Sequence, residues 1–197
     1  MRIYGNRLLK TLPGPLTRPT TGKVRTAVFN IWQGPFGGQS WLDLCAGNGS
    51  MGAEALCRGI HHVVGIEQSG KACALIQANW QKVARPEQSF QVLRGDILKI
   101  LPSLAGQQFD WIYFDPPYAS DLYLPVLTLV AEHKLLAPAG EMAVEHDVQS
   151  PPPIGIGPLK QCRQKRYGKT GVSFYDWGVA DEGPFHNNSQ PLETPLT

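Results

Sequence analysis

Four consecutive residues, Asp115-Pro116-Pro117-Tyr118, close the apolar run Trp111 to Phe114. A buried strand seldom ends this way for structural reasons alone. Proline locks φ, so the Pro116 carbonyl is held in place at little entropic cost. Asp115 and that carbonyl offer two neighbouring hydrogen-bond acceptors, and Tyr118 offers a flat face. Together they suit an exocyclic amine on a planar base, a poor nucleophile because its lone pair is delocalised into the ring. Two acceptors taking its N–H bonds favour a pyramidal nitrogen, and stacking on Tyr118 adds about 1–3 kcal/mol. An electrophilic methyl group, such as that of a sulfonium, then needs only in-line attack. Asp115 also eases loss of the amine proton.

A second constellation lies upstream. Asp43, Gly47, Gly49 and Gly52 fall within DLCAGNGSMGAE, between an apolar run and a helical pattern. Glycines there permit a sharp turn and close approach of a ligand to the backbone. Glu67 follows Gly47 by 20 residues, with Gln68 beside it. An acid at that place accepts hydrogen bonds from ribose hydroxyls. Asp96, followed by Ile97, stands where it could reach an adenine amino group. GNGSMG formally satisfies the dinucleotide fingerprint, which keeps a nicotinamide enzyme open. Asp43 leans the other way, because a carboxylate beside the loop suits a cationic ligand better than a pyrophosphate.

These groups need a scaffold, and the hydrophobic periodicity supplies one. RPTTGKVRTAVFNIW reads as a helix capped near Thr20 or Thr21. Strands follow at 40–45, 61–67, 89–96, 109–115 and 140–146. Helical patterns separate them, including one ending at Gly59 and one around Pro125. Strict alternation predicts a doubly wound α/β fold with a mostly parallel sheet. PLKQCRQKRYG and TGVSFYDWG read instead as an antiparallel hairpin at one edge of the sheet, turning between Gly168 and Gly171. Trp32, Trp41, Trp80 and Trp111 belong in or near the core, Trp177 in packing, and His61 and His62 are structural.

Charge is segregated. Residues 1–42 hold six Lys or Arg and no acid, 43–158 hold seven basic and twelve acidic groups, and 159–175 hold five basic groups and no acid. Basic flanks around an acidic centre fit a polyanion held at the edges of a central site, with Arg7, Arg18, Lys23, Arg25, Lys165 and Arg166 as candidate RNA contacts. Apolar runs fall short of the roughly 20 residues that span a bilayer. The four scattered cysteines favour reduced thiols over a disulfide framework or zinc site. No metal is expected, and a cytoplasmic location is.

In this order, DLCAGNGSMGAEALCRG, GIE, GD and DPPY resemble S-adenosylmethionine-dependent amino-methyltransferases of the Rossmann-like class. MRIYGNRLLKTLPG, RPTTGKVRTAVFNIW and KRYGKTGVSFYDWG further resemble the RsmD family, bacterial enzymes that methylate the N2 amine of one guanine in small-subunit ribosomal RNA. The likeness runs from Met1 to Gly178. It implies S-adenosyl-L-methionine as cofactor, with Asp43, Gly47 and Gly49 at its methionine portion, Glu67 at the ribose, and Asp96 with the Ile97 backbone at the adenine. It also implies a seven-stranded sheet with one antiparallel strand, and a substrate of rRNA already assembled with protein. The family usually carries acids where Gly22 and Thr26 stand, and commonly a Phe at Cys45. The expected organisation is an RNA-binding extension and first helix over 1–37, a methyltransferase domain over 38–179 and a disordered tail over 180–197, acting as a monomer. Asp-Pro-Pro-Tyr serves several planar amines, so a DNA adenine or protein glutamine methyltransferase stays open, as does a non-catalytic rRNA-binding assembly factor.

Overall fold

The structure is a computed structural model describing residues 1–11, 22–34 and 36–178. Arg18, the expected cap at Thr20 or Thr21 and the tail from Ala180 lie outside those residues.

The chain opens with β1 (Arg2–Ile3) and β2 (Arg7–Leu8), a small antiparallel pair joined by a 3-10 turn. Helix α1 (Gly22–Trp32) precedes the alternating core: β3 (Ser40–Leu44), α2 (Ser50–Arg58), β4 (His62–Glu67), α3 (Gly70–Val83), β5 (Ser89–Arg94), α4 (Ile97–Ile100), β6 (Phe109–Phe114), α5 (Tyr123–Glu132) and β7 (Leu136–Asp147). Three strands complete it: β8 (Gly155–Ile156), β9 (Leu159–Tyr167) and β10 (Thr170–Trp177). The sheet order is β5-β4-β3-β6-β7-β10-β9-β8. The first five strands in that order are parallel, and the chain reverses its direction of travel across the sheet between β3 and β6.

Local chemistry explains the boundaries. Gly59 takes φ +105° and closes α2, its amide donating to carbonyls of the last turn. Ser69 caps α3 by accepting from the Ala72 amide. Pro125 is the third residue of α5, where its missing N–H has no intrahelical partner to lose. Alternate strand residues feed two cores. Trp41, Val63, Tyr113 and Ala143 meet α1, α2 and α3 on one face, while Leu42, Val64, Phe114 and Val144 meet α4 and α5 on the other.

Two expectations are corrected here. The sheet has eight strands rather than seven, because the backbone after the Pro151–Pro153 run pairs briefly as β8 beside β9. Consequently both β8 and β10 run against the parallel set. The C-terminal hairpin is also not a simple edge: β10 inserts between β7 and β9, pairing antiparallel with each.

The N-terminal arm is bound tightly to the core. Asn79 of α3 accepts from the Lys10 amide and donates to the Lys10 carbonyl, each at 3.0 Å. Arg7 donates to the Val83 carbonyl at 2.8 Å, which occupies part of its guanidinium in anchoring the arm rather than leaving it wholly for RNA. Arg25 is removed from the candidate RNA surface altogether. It is buried on the inner face of α1, paired with Glu54 and donating to the Arg2 carbonyl. Arg58 completes this ion cluster and lies over the rings of Tyr4 and Phe29. Removing one partner of a buried pair strands the other charge. Arg25→Ala should therefore lower unfolding free energy by roughly 3–5 kcal/mol in urea titration, whereas exposed Lys23→Ala should change it by less than about 0.5 kcal/mol.

Candidate active site

Beyond the carboxyl ends of β3 to β7 lies a cavity of about 810 Å³. This is where open α/β sheets bind ligands, because the loops diverge at the point where strand order reverses. Ten of the eleven residues assigned to catalysis or cofactor from the sequence line it: Asp43, Gly47, Glu67, Gln68, Asp96, Ile97 and the whole of Asp115 to Tyr118.

The exception, Gly49, corrects the reading of the glycine loop. Gly49 has φ +70°, and a Cβ on it would lie 2.9 Å from Trp80 Nε1 and 3.0 Å from Ile76. A Cβ on Gly52 would meet the same indole at 2.3 Å, and one on Gly65 at 2.5 Å. These glycines make room for Trp80, not for a ligand. The indole then donates to the Gly49 carbonyl at 2.7 Å, and Asn79 donates to the Asn48 carbonyl at 3.4 Å. Gly47 is different, since it lines the cavity at φ +57° with no side-chain atom crowding its Cβ direction.

Acids brace the same loop. Asp43 accepts from the Gly52 amide at 3.0 Å. Glu67 accepts from Gly47 through Oε2 and from Ser69 through Oε1, both at 2.8 Å. Asp96 caps α4 by accepting from Leu98 at 3.0 Å, and its neighbour Ile97, the first residue of α4, also lines the cavity. Burial, with the charges of Asp115 and Glu67 nearby, pushes the Asp43 carboxyl well above the usual carboxylate range despite the Gly52 bond. Cys45 shares this wall at φ +58°, and burial pushes its thiol up to about 12.

Five carboxylates face the cavity: Asp43, Glu67, Asp96, Asp115 and Glu145. Among the described residues lining it, none is Lys or Arg. A pyrophosphate would meet only repulsion there, while a cation and hydroxyl or amine donors would be accepted. That donor set fits a sulfonium nucleoside.

Sequence reasoning missed Glu145 and Thr170. Glu145 on β7 accepts Tyr113 Oη at 2.6 Å and Tyr118 Oη at 2.8 Å; Thr170 Oγ1 lies 3.0 Å from Tyr118 Oη. The acid in the apolar stretch GEMAVEH was a detectable signal, because a strand interior carries an acid only when something pairs with it. Thr170 gave no signal of its own. Among the expected RNA contacts, Lys23, Lys165 and Arg166 are exposed. Lys165 and Arg166 stand opposite Val172 and Gly171, close along the hairpin to the cavity-lining Thr170. At Gly22, a Cβ would point to the Arg25 guanidinium at 3.7 Å, so an acid there would join the buried ion cluster.

The doubly wound sheet, the acidic cavity at its switch point and the Asp-Pro-Pro-Tyr corner on its rim define a Rossmann-like methyltransferase. A solved structure described as "Putative methyltransferase yhhF from Escherichia coli" superposes with a TM-score of 0.78 at 25% identity, covering 89% of this chain and 96% of that one. A family model described as "Conserved hypothetical protein 95" matches residues 1–176, and the chain belongs to this family, the RsmD family. It is 36% identical over 171 residues to "Putative rRNA methyltransferase YlbH" of Bacillus subtilis, covering 86% of this chain and 92% of that protein. It is 30% identical over 151 residues to "Ribosomal RNA small subunit methyltransferase D" of Haemophilus influenzae, covering 76% and 78%.

Trp80 holds the loop by shape and by one hydrogen bond, and the Gly49 carbonyl also accepts the Ala53 amide at 2.9 Å, so Trp80→Phe should remove the indole bond and leave a void where the larger ring packed. An expected loss of about 1–3 kcal/mol in unfolding free energy is checked by urea titration.

Proposed function

We propose that this chain transfers the methyl group of S-adenosyl-L-methionine to the exocyclic N2 amine of a guanine in small-subunit ribosomal RNA. The observation that carries the reading is the shared cavity: Asp115, Pro116 and Tyr118 open onto the same space as Glu67 and Asp96. A nucleoside held by the acids after β4 and β5 and a base held by the corner after β6 would meet inside it. The names of the relatives from Haemophilus influenzae and Bacillus subtilis support rRNA as substrate.

Each residue takes a role its position allows. Glu67 keeps acceptor capacity on both oxygens for ribose hydroxyls while pinning Gly47 and Ser69. Asp96 and the Ile97 amide offer the acceptor–donor pair that an adenine edge requires. Asp43 and Gly47 shape the end nearest the methionine portion, and Gln68 lines the ribose end. S-adenosylmethionine supplies an electrophilic methyl on a positive sulfur. Asp115 and the Pro116 carbonyl take the N–H bonds of the incoming amine, and Asp115 receives the proton that the amine sheds. Pro117 keeps the corner rigid and Tyr118 stacks on the base. Lys165 and Arg166, on the hairpin that ends at the cavity-lining Thr170, would hold phosphates near the mouth, with Lys23 on α1 and Arg7 at the far end of α3 extending the contact along the arm. The acidic wall disfavours the nicotinamide alternative. We also assign the substrate as rRNA within an assembled or nearly assembled subunit, and the enzyme as a cytoplasmic monomer. No described helix is long and apolar enough to cross a membrane.

The reaction is tested with labelled S-adenosylmethionine and small ribosomal subunits lacking the modification, followed by nucleoside mass spectrometry. N2-methylguanosine should form, and Asp115→Ala should abolish it while RNA binding persists. A product methylated on adenine, or unimpaired activity of the variant, would overturn the assignment.

Asp43 couples both folding and ligand affinity to pH. Its raised carboxyl means that ionised Asp43 opposes folding: the stability is fully present below the unfolded value and lost as pH rises through the folded one. A cationic ligand prefers the ionised form, so it gains affinity as that proton leaves. Calorimetric titration at successively lower pH should show the affinity ratio of S-adenosylmethionine to S-adenosylhomocysteine falling as Asp43 takes up its proton. Asp43→Asn should flatten the trend.

A further inference from the structure

Tyr118 belongs to the loop after β6, yet two other strands hold its hydroxyl. Glu145 Oε1 on β7 lies 2.8 Å away and Thr170 Oγ1 on β10 lies 3.0 Å away. Both partners are 5% exposed. Glu145 also accepts Tyr113 through its other oxygen at 2.6 Å. An ionised carboxylate only accepts, so each phenol must donate to it, and the single Tyr118 proton is committed there. Thr170 must then donate to the Tyr118 oxygen. The protons run in one sense, from Thr170 to Tyr118 to Glu145, with Tyr113 feeding the other oxygen.

Burial raises the Tyr118 phenol above its ordinary value, with the neighbouring Glu145 and Asp115 charges adding to this. The hydroxyl therefore stays protonated and keeps donating across the working range. Without such ties a half-buried loop tyrosine would sample rotamers on a picosecond-to-nanosecond timescale. With them its ring is part of the cavity wall.

We propose that Glu145 and Thr170 are positioning residues that clamp the Tyr118 ring by its hydroxyl, so that an incoming base meets a fixed stacking surface beside Asp115. This rests on the reading of the cavity as an amine-methylating site. It also gives the inserted strand a purpose: β10 delivers Thr170 to the cavity from the first position after the basic turn at Lys169. The strand that ends the basic hairpin thereby helps set the aromatic face.

The test uses the full chain with Tyr118→Phe, Glu145→Gln, Thr170→Val, Thr170→Ser and the Tyr118→Phe/Glu145→Gln double variant. Methyl transfer to unmodified small subunits is measured per site that binds S-adenosylhomocysteine by calorimetry, which removes any unfolded fraction from the rate. Tyr118→Phe, Glu145→Gln and Thr170→Val should each lower kcat about 10-fold or more, with KM for subunits within about twofold. Thr170→Ser, which keeps the donor, should recover most of the rate lost in Thr170→Val. The double variant should be no slower than its slower parent. Multiplying losses in the double variant, or a serine no better than valine, would overturn the clamp. Urea unfolding of the same set reads the coupling without catalysis: non-additive midpoint shifts for Tyr118→Phe and Glu145→Gln support the clamp, and additive shifts sink it. If the unaltered chain methylates nothing, the functional reading falls and the unfolding cycle still decides the clamp.

Discussion

The site depends on one packing constraint, the Trp80 indole wedged between β4, α2 and the loop that joins β3 to α2. Three glycines, Gly49, Gly52 and Gly65, leave the space it fills, and its N–H closes on the Gly49 carbonyl. A fully buried tryptophan removes roughly 200 Å² from water, worth about 5 kcal/mol. That apolar gain fixes the path of the backbone through Cys45 and Gly47, and hence the wall on which the acids sit. Asn79, one residue before Trp80, ties the same loop to the N-terminal arm through Asn48 and Lys10. The loop after β3 and the arm are therefore braced from one turn of one helix.

Around that frame the electrostatics are deliberately one-sided. Five carboxylates converge on a cavity whose described lining carries no basic side chain. Several of them are partly satisfied by backbone amides, which lets them remain close together at tolerable cost. Asp43 shows the residual strain, since burial and its acidic neighbours disfavour its charge. A positive ligand relieves that strain, which makes the cavity a poor host for anions and a good one for a sulfonium. The basic groups are kept outside, on β9 and the hairpin turn, where phosphates would not have to approach the acids.

Much of this was legible in the residues. The alternating strands and helices, the acids at strand ends and the Asp-Pro-Pro-Tyr corner follow from local chemistry and short spacing, so they could be read along the chain. The glycine loop was found but partly misread. Gly49 and Gly52 look like ligand-facing glycines until the indole 31 and 28 residues further on occupies their Cβ directions. Arg25 looked like one of many candidate phosphate contacts. Its burial against Glu54 depends on how α1 lies across α2, which no local pattern encodes.

The sequence by itself determined which groups would gather at the crevice, because strand periodicity and turn chemistry act over a few residues and fix which ends of which elements carry acids, prolines and glycines. Only the tertiary structure decided what those groups do to one another. Glu145 and Thr170 reach Tyr118 because β10 enters antiparallel beside β7, bringing together side chains 25 residues apart in the chain. Hydrogen-bond partners, buried ion pairs and shifted acidities are products of that non-local register, and they come into being only when the sheet has closed.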